Sequence, residues 1–333
     1  MTKKPTTPTT SNQTPKADAD QKSLPIAPNS QVTLTIPWAT VEPAYTNAVK
    51  ALAQRIKVDG FRQGKLPFAM AEERVDQSAV LERTLQKVLP PVYTAELEKT
   101  KQLPLTQPEI EPVKAEKGQD WEITVYFAVR PSITLGQYRP VVIEAIQASQ
   151  KDIVEEEKKL AEKVGEEKVP AISEKKETSE IPATPITLTD QQKEDFTTRY
   201  IFKALVEEIN PQIPELLVRR EANRDLDRLL NQLTQLKLSV DDYLKSRQLT
   251  PDQLRQEYMA VGVSALQIEF ILAEIAKAEK FTVEDKEIDK TLTTMAGGKI
   301  TDELLQNPDY RTAVFSTLLK QKVAKFLLSL SKN

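Results

Sequence analysis

The chain has 333 residues, of which 29% are charged, and a formal net charge of −3. That balance excludes a wholesale polyanion binder but leaves room for a local basic patch. There are no Cys and no His residues, which excludes disulfides, thiolate zinc sites, Cys nucleophiles and every His-based acid–base scheme.

The length accommodates two domains. A carboxylate-only enzyme or an oxygen-ligand metal site stays open, yet no paired-carboxylate motif stands out, so no catalytic residue, metal ligand or cofactor is assigned. No stretch approaches the roughly 18 consecutive apolar residues of a membrane span, and no membrane partner is expected. Residues 1–30 carry Lys3 and Lys4 but lack the apolar stretch of a secretory signal. Their Thr, Pro, Asn and Gln content cannot bury a core and predicts a disordered tail, with a cytoplasmic location for the whole.

Order is expected from about Gln31. Val32, Leu34 and Ile36 alternate at period two, as in a strand with one buried face. Val41, Tyr45, Ala48, Leu52 and Ile56 then follow helical spacing and mark an amphipathic helix. A second helical region is predicted from Phe68 to Lys101, with a kink or break at Pro90-Pro91. Pro108–Val113 and Trp121–Val129 read as two strands joined through the turn at Lys117-Gly118, and Val141–Ile143 as a last short strand. Residues 31–148 are thereby predicted to be a compact α+β domain.

From Lys151 to Asp190 no aromatic residue occurs. The first half is densely charged and helix-prone, and the second holds Pro170, Pro182 and Pro185. Residues 149–190 are read as a solvated helix followed by a linker. Residues 191–333 read as helix after helix, with stripes at Leu226, Leu229, Leu230, Leu233 and Leu236 and at Val261, Ala265, Ile268, Leu272 and Ile275. Thr250-Pro251-Asp252-Gln253 predicts a capping box with proline at the first helical position, Thr282 with Asp285 a similar cap, and Asn307-Pro308 the start of the last helix. The fold class is an α+β N-terminal domain followed by an all-α domain whose lengths and short turns permit packed antiparallel arms.

The segment Gly60-Phe61-Arg62-Gln63-Gly64-Lys65-Leu66-Pro67 holds two of the eight glycines in the chain. Two glycines four residues apart point to a tight, shaped loop that presents Phe61 and Arg62. From Lys50 to Lys65, Lys50, Arg55, Lys57, Arg62 and Lys65 stand against Asp59 alone. Basic charge beside an aromatic suits a tip that meets RNA phosphate while anchoring in an apolar protein pocket. The alternative is that Phe61 plugs its own domain and the charges are merely solvated. Neither this loop nor Gly297-Gly298-Lys299 has the glycine spacing of a nucleotide-binding P-loop, so no nucleotide is expected.

GFRQGKLP matches every fixed position of G-F-R-x-G-K-x-P, the ribosome-binding loop of the trigger factor family, which the chain resembles. The resemblance extends through VLERTLQKVLPPVYTAELEK and QPEIEPVKAEKGQDWEITVYFAVRPSITLGQY to IPELLVRREANRDLDRLL, LSVDDYLK and ILAEIAKAEKFTV. It implies an elongated chaperone whose 31–148 domain docks at the exit tunnel of the large ribosomal subunit, against ribosomal protein and rRNA. Residues Gly60, Phe61, Arg62, Gln63, Gly64, Lys65 and Pro67 would form the ribosome-binding site. The family usually has lysine where this chain has Gln63, which implies weaker and less salt-sensitive docking.

Residues 191–333 would hold nascent polypeptides without ATP; no client-binding residue is assigned. Family members usually insert a prolyl-isomerase domain between these regions. The aromatic-free stretch 151–190 lacks the pocket such a site needs and, at about 40 residues, is short for unaided folding. The implied protein is a reduced member, an isomerase in name only. Rival readings are a helical adaptor with one fixed partner, a secreted chaperone of related helical architecture, and an RNA-binding module. The balanced charge of residues 31–148 counts against the last.

Overall fold

The computed structural model describes residues 24–57, 61, 66–166, 188–296 and 305–332. Strand β1 (Ile26–Ala27) and strand β2 (Ser30–Ile36) lead into helix α1 (Trp38–Ala53). Helices α2 (Phe68–Arg74) and α3 (Gln77–Thr100) precede a hairpin of β3 (Glu109–Lys114) and β4 (Trp121–Phe127). Strand β4 lies between β2 and β3 in an antiparallel sheet, with Ile36 opposite Trp121 and Leu34 opposite Ile123. Trp121, Ile123, Val125 and Phe127 are buried under α1 and α3 together with Val41, Val49, Val80, Val88 and Leu89. The intervening positions form the other, more polar face, where the Thr33 and Thr124 hydroxyls lie 3.4 Å apart. This alternation is that of an antiparallel sheet with one face on the core. Gly118, at φ +80°, supplies the left-handed turn of the hairpin.

The chain then becomes helical: α4 (Tyr138–Glu166), α5 (Asp190–Ile209), α6 (Glu215–Gln235), α7 (Val240–Arg247), α8 (Pro251–Ala278), α9 (Asp285–Met295) and α10 (Pro308–Ser329), with a short strand β5 (Ile213–Pro214) before α6. The main core here joins α4, α5, α8 and α10 through Val142, Ile146, Ile201, Leu205, Ile271, Ile275, Val323 and Leu327. A smaller cluster of Ile213, Val218, Val263 and Leu266 seats α6 on α8, and another of Ile288, Leu292 and Val314 seats α9 on α10. Helix α8 is long and apolar enough to span a bilayer by length and composition. Half of its most apolar stretch is buried in this bundle, which makes it the central packing helix. The expected capping box at Thr250 and Gln253 and the Asn307 cap are both present.

Several expectations are corrected. Order reaches back to at least Leu24: β1 pairs in parallel with β5, Ile26 opposite Ile213, and the Asn29 side chain accepts a hydrogen bond from the Leu216 backbone N–H at 2.8 Å. The tail expected through residue 30 thus ends in a strap that ties the N-terminal unit to the helical half. The rest of that tail, residues 1–23, lies outside the described residues. The helical region after Phe68 breaks at Val75-Asp76, where Asp76 caps α3 by accepting from the Ser78 N–H, and runs unbroken through Pro90-Pro91. Both prolines are exposed, while Val88, Leu89 and Tyr93 on the inner face are buried and hold the helix to the sheet.

Val141–Ile143 is not a strand but the second turn of α4. Tyr138, Val142, Ala145 and Ile146 pack with the helical half, so the N-terminal core ends before residue 138 and not at 148. A three-residue apolar run does not distinguish strand from helix; the partner helices decide. The charged helix after 149 exists as the distal part of α4, but residues 167–187 of the expected linker lie outside the described residues. The cap before α9 is a box between Glu284 and Glu287, not Thr282 with Asp285.

Candidate functional site

The loop predicted as the docking tip leaves α1 and enters α2. Past α1, the Arg55 N–H bonds to the Leu52 carbonyl at 3.0 Å and the Ile56 N–H to the Ala53 carbonyl at 3.2 Å, winding the first stem inward. Ile56 on that stem and Leu66 on the returning one both pack against the N-terminal core, as does Phe68. Pro67, at φ −57° and ψ 145°, occupies the position just before α2, where a fixed proline φ starts a helix without losing a bonded N–H. Phe61 lies between the two anchored stems and is 41% exposed. It belongs to no core cluster among the described residues, so it does not plug its own domain. Gly60, Arg62, Gln63, Gly64 and Lys65 lie outside the described residues.

A polar clamp holds the stems in place. Tyr45 on α1 donates to Glu72 Oε1 on α2 at 3.0 Å, and Lys117 of the hairpin turn meets the same carboxylate at 2.7 Å. Gln77 at the start of α3 donates to the Glu72 carbonyl at 2.7 Å. The Lys117 ammonium holds the Glu72 carboxyl below its ordinary value. Burial, reinforced by Glu72, pushes the Tyr45 phenol up to about 12. At neutral pH the carboxylate is therefore charged and the phenol is a donor, so both bonds persist. This clamp joins the helix before the loop, the helix after it and the hairpin. It had no local signal, because Glu72 in AEER reads as an ordinary surface residue.

Lys50, Arg55 and Lys57 are exposed and add positive charge on the approach to Phe61. Among the described residues no group of three or more Asp or Glu is arranged to hold a metal ion. The site thus presents an exposed aromatic near exposed cations, between stems that pack against the N-terminal core.

The fold thus has an α+β unit with an exposed Phe61 between two packed stems, tied by a strap to an elongated helical half. Comparison with known proteins gives the same class. The family described as "Bacterial trigger factor protein (TF)" matches residues 21–162, and its C-terminal counterpart, "Bacterial trigger factor protein (TF) C-terminus", matches residues 189–329. The chain belongs to the trigger factor family.

Trigger factor from a Nocardioides species is 35% identical over 136 residues, covering 40% of this chain and 29% of the relative. That from Mycobacteroides abscessus is 38% identical over 113 residues, 34% of this chain and 23% of the relative. The alignments therefore span less than a third of the length of these curated relatives. A solved trigger factor chaperone, described for promiscuous substrate recognition in folding and assembly, superposes with a TM-score of 0.53 at 14% identity, over 90% of this chain and 96% of that one. At that identity the likeness concerns the fold.

Proposed function

We propose that this protein is an ATP-independent chaperone that docks on the large ribosomal subunit at the tunnel exit and holds nascent polypeptides, in the cytoplasm. The observation that carries the reading is Phe61: a large aromatic exposed at a loop whose two stems are packed and clamped. Exposing a phenylalanine on a rigid mount costs hydration free energy, and burial in a partner pocket recovers it. Phe61 is assigned as the anchor, Arg62 and Lys65 as contacts to phosphate or carboxylate, and Gly60, Gly64 and Pro67 as shapers of the loop. Gln63, lacking a charge, lowers the salt sensitivity of docking.

Holding is assigned to the helical half. Leu230, Leu236, Leu238 and Val240, at the α6–α7 end, are exposed, and such surface can shield aggregation-prone segments during synthesis. The two family matches leave only residues 163–188 between them, too few for a further folded domain, so prolyl-isomerase activity is not assigned. A helical adaptor with one fixed partner would account for the leucine stripes but not for Phe61 beside exposed cations.

Ribosome co-sedimentation tests docking. The wild type should pellet with ribosomes and the Phe61→Ala/Arg62→Ala variant should remain in the supernatant; equal pelleting sinks the assignment. Suppression of aggregation of a refolding client by the full chain tests holding, and its failure would favour the adaptor. Isomerase activity on a short proline peptide well above background would overturn the non-enzyme reading.

A further inference from the structure

The two halves meet across an interrupted seam. Their core clusters are separate among the described residues, and Ile26, just ahead of β2, is seated in a helical one against Ile213, Val218, Val263 and Leu266. Open clefts lie along the seam. One of about 660 Å³ separates Thr106 and Pro108 from the start of α6, and one of about 590 Å³ lies between Pro28 and Pro211. Where clefts interrupt the packing, the angle between the halves rests on discrete ties.

Three of these ties converge on the base of α6. The Ile213 N–H donates to the Pro25 carbonyl at 3.0 Å, in the strand that leads straight into α6. Pro214, the residue before that helix, supplies no side-chain cap, although the first N–H groups of a helix need acceptors. The acceptor comes from 187 residues away: Asn29 Oδ1 takes the Leu216 N–H at 2.8 Å. Leu216 is buried, so losing Asn29 would leave that N–H poorly paired. One turn further along, Arg219 meets Glu109 on β3. Asn29 adjoins the start of β2, so both edges of the sheet hold the helix base. A weaker tie, Arg130 to Glu274 on α8 at 3.6 Å, lies apart from α6.

We propose that residues 24–29 form a latch that sets the direction of the α6–α7 arm relative to the α+β unit. Asn29 is the long-range cap, Ile26 the seat, and the Glu109–Arg219 pair the second hold. Helix α6 runs 21 residues from this base to the exposed Leu236. At that length, a tilt of about 10° at the base moves the far end by about 5 Å. The latch would thereby hold the exposed α6–α7 surface at a fixed place relative to the loop, a consequence that rests on the docking and holding roles proposed above.

The test uses the full chain. It has no Cys, so Glu98→Cys on α3 and Gln235→Cys at the end of α6, both exposed, carry a single pair of spin labels. The distance distribution between them should be narrow. Ile26→Asp, which puts a charge into the apolar seat, should broaden it. Asn29→Ala should broaden it less and speed amide exchange at Leu216 about fivefold, the value of one helix cap. Asn29→Asp keeps the acceptor and should match the wild type, whereas Asn29→Leu fills the space without one and should match Asn29→Ala.

A broad distribution without the latch substitutions, or one unchanged by both Ile26→Asp and Asn29→Ala, overturns the latch. Unchanged exchange at Leu216 in Asn29→Ala overturns the capping role. If Ile26→Asp does not fold, the Asn29 series decides. In Asn29→Ala, ribosome co-sedimentation should be retained, while cross-linking from position 235 to a stalled nascent chain should fall. Full cross-linking despite broadened distances overturns the positioning role. Failure of the wild type to pellet sinks the docking reading and leaves the latch to the distance measurement.

Discussion

The N-terminal unit and the helical half solve the same problem differently. In the first, α1 and α3 cover one side of the sheet, and a single core runs from Leu34 through Trp121 to Phe127. In the second, burial is divided among the α4–α5–α8–α10 core and two small satellites. A centralised core makes a rigid mount, and the polar clamp at Glu72 transfers that rigidity to the loop stems. A dispersed core lets separate parts of an elongated body open at different free energies. Both tryptophans, Trp38 and Trp121, lie in the first unit, so fluorescence reports on it while far-UV circular dichroism is dominated by the helices.

The largest expected effect comes from Trp121→Ala. Trp121 is 1% exposed, and its indole donates to the Glu116 carbonyl at 3.1 Å, so its loss should cost about 3–5 kcal/mol. Fluorescence through Trp38 should shift to lower denaturant while most of the helical signal melts as in the wild type. Coincident transitions would show one cooperative unit in place of two.

Ile146→Ala, about 2–4 kcal/mol, should do the reverse. Ile146 lies within the expected first domain but packs among α5 and α8 residues, so the dichroism transition should move and the fluorescence transition stay. Thr250→Ala removes the hydroxyl that accepts from the Gln253 N–H at 3.2 Å. It should cost about 1 kcal/mol, read as faster amide exchange in the first turn of α8 only.

The smallest effect is acid sensitivity. Glu72, Glu157, Glu279 and Glu287 are all lowered by hydrogen-bonded cations, Lys117, Lys193, Arg139 and Lys322 in turn. A depressed carboxyl contributes stability that is present above its unfolded value of about 4.3 and lost as pH falls through the lower folded value. Three of the four belong to the helical half and its α4 seam, so acid titration should lower the dichroism transition before the fluorescence one. These are exposed pairs, and salt should shrink the difference.

Much of this was legible along the chain. The period-two run at Val32–Ile36, the hairpin about Gly118, the Thr250 box and the Asn307 cap are set by residues within a few positions of one another, and each formed as expected. The candidate loop was legible as composition and motif. Phe61 is exposed, which favours the outward reading over the plug, while its docking role and that of Arg62 and its neighbours stay assigned by resemblance. The Tyr45–Glu72–Lys117 clamp was not legible, because its members are 27 and 45 residues apart and no one of them is unusual.

What the sequence by itself determined was therefore local: which stretches favour helix or strand, where several helices start, and that a basic, aromatic loop interrupts the first domain. Only the tertiary structure decided that Val141–Ile143 is helical, that Pro90-Pro91 leaves α3 unbroken, and that Ile26 belongs with Ile213. The physical reason is common to all three. A short apolar run, a proline pair or a two-residue strand has nearly balanced local preferences, and burial against a partner distant in sequence outweighs them.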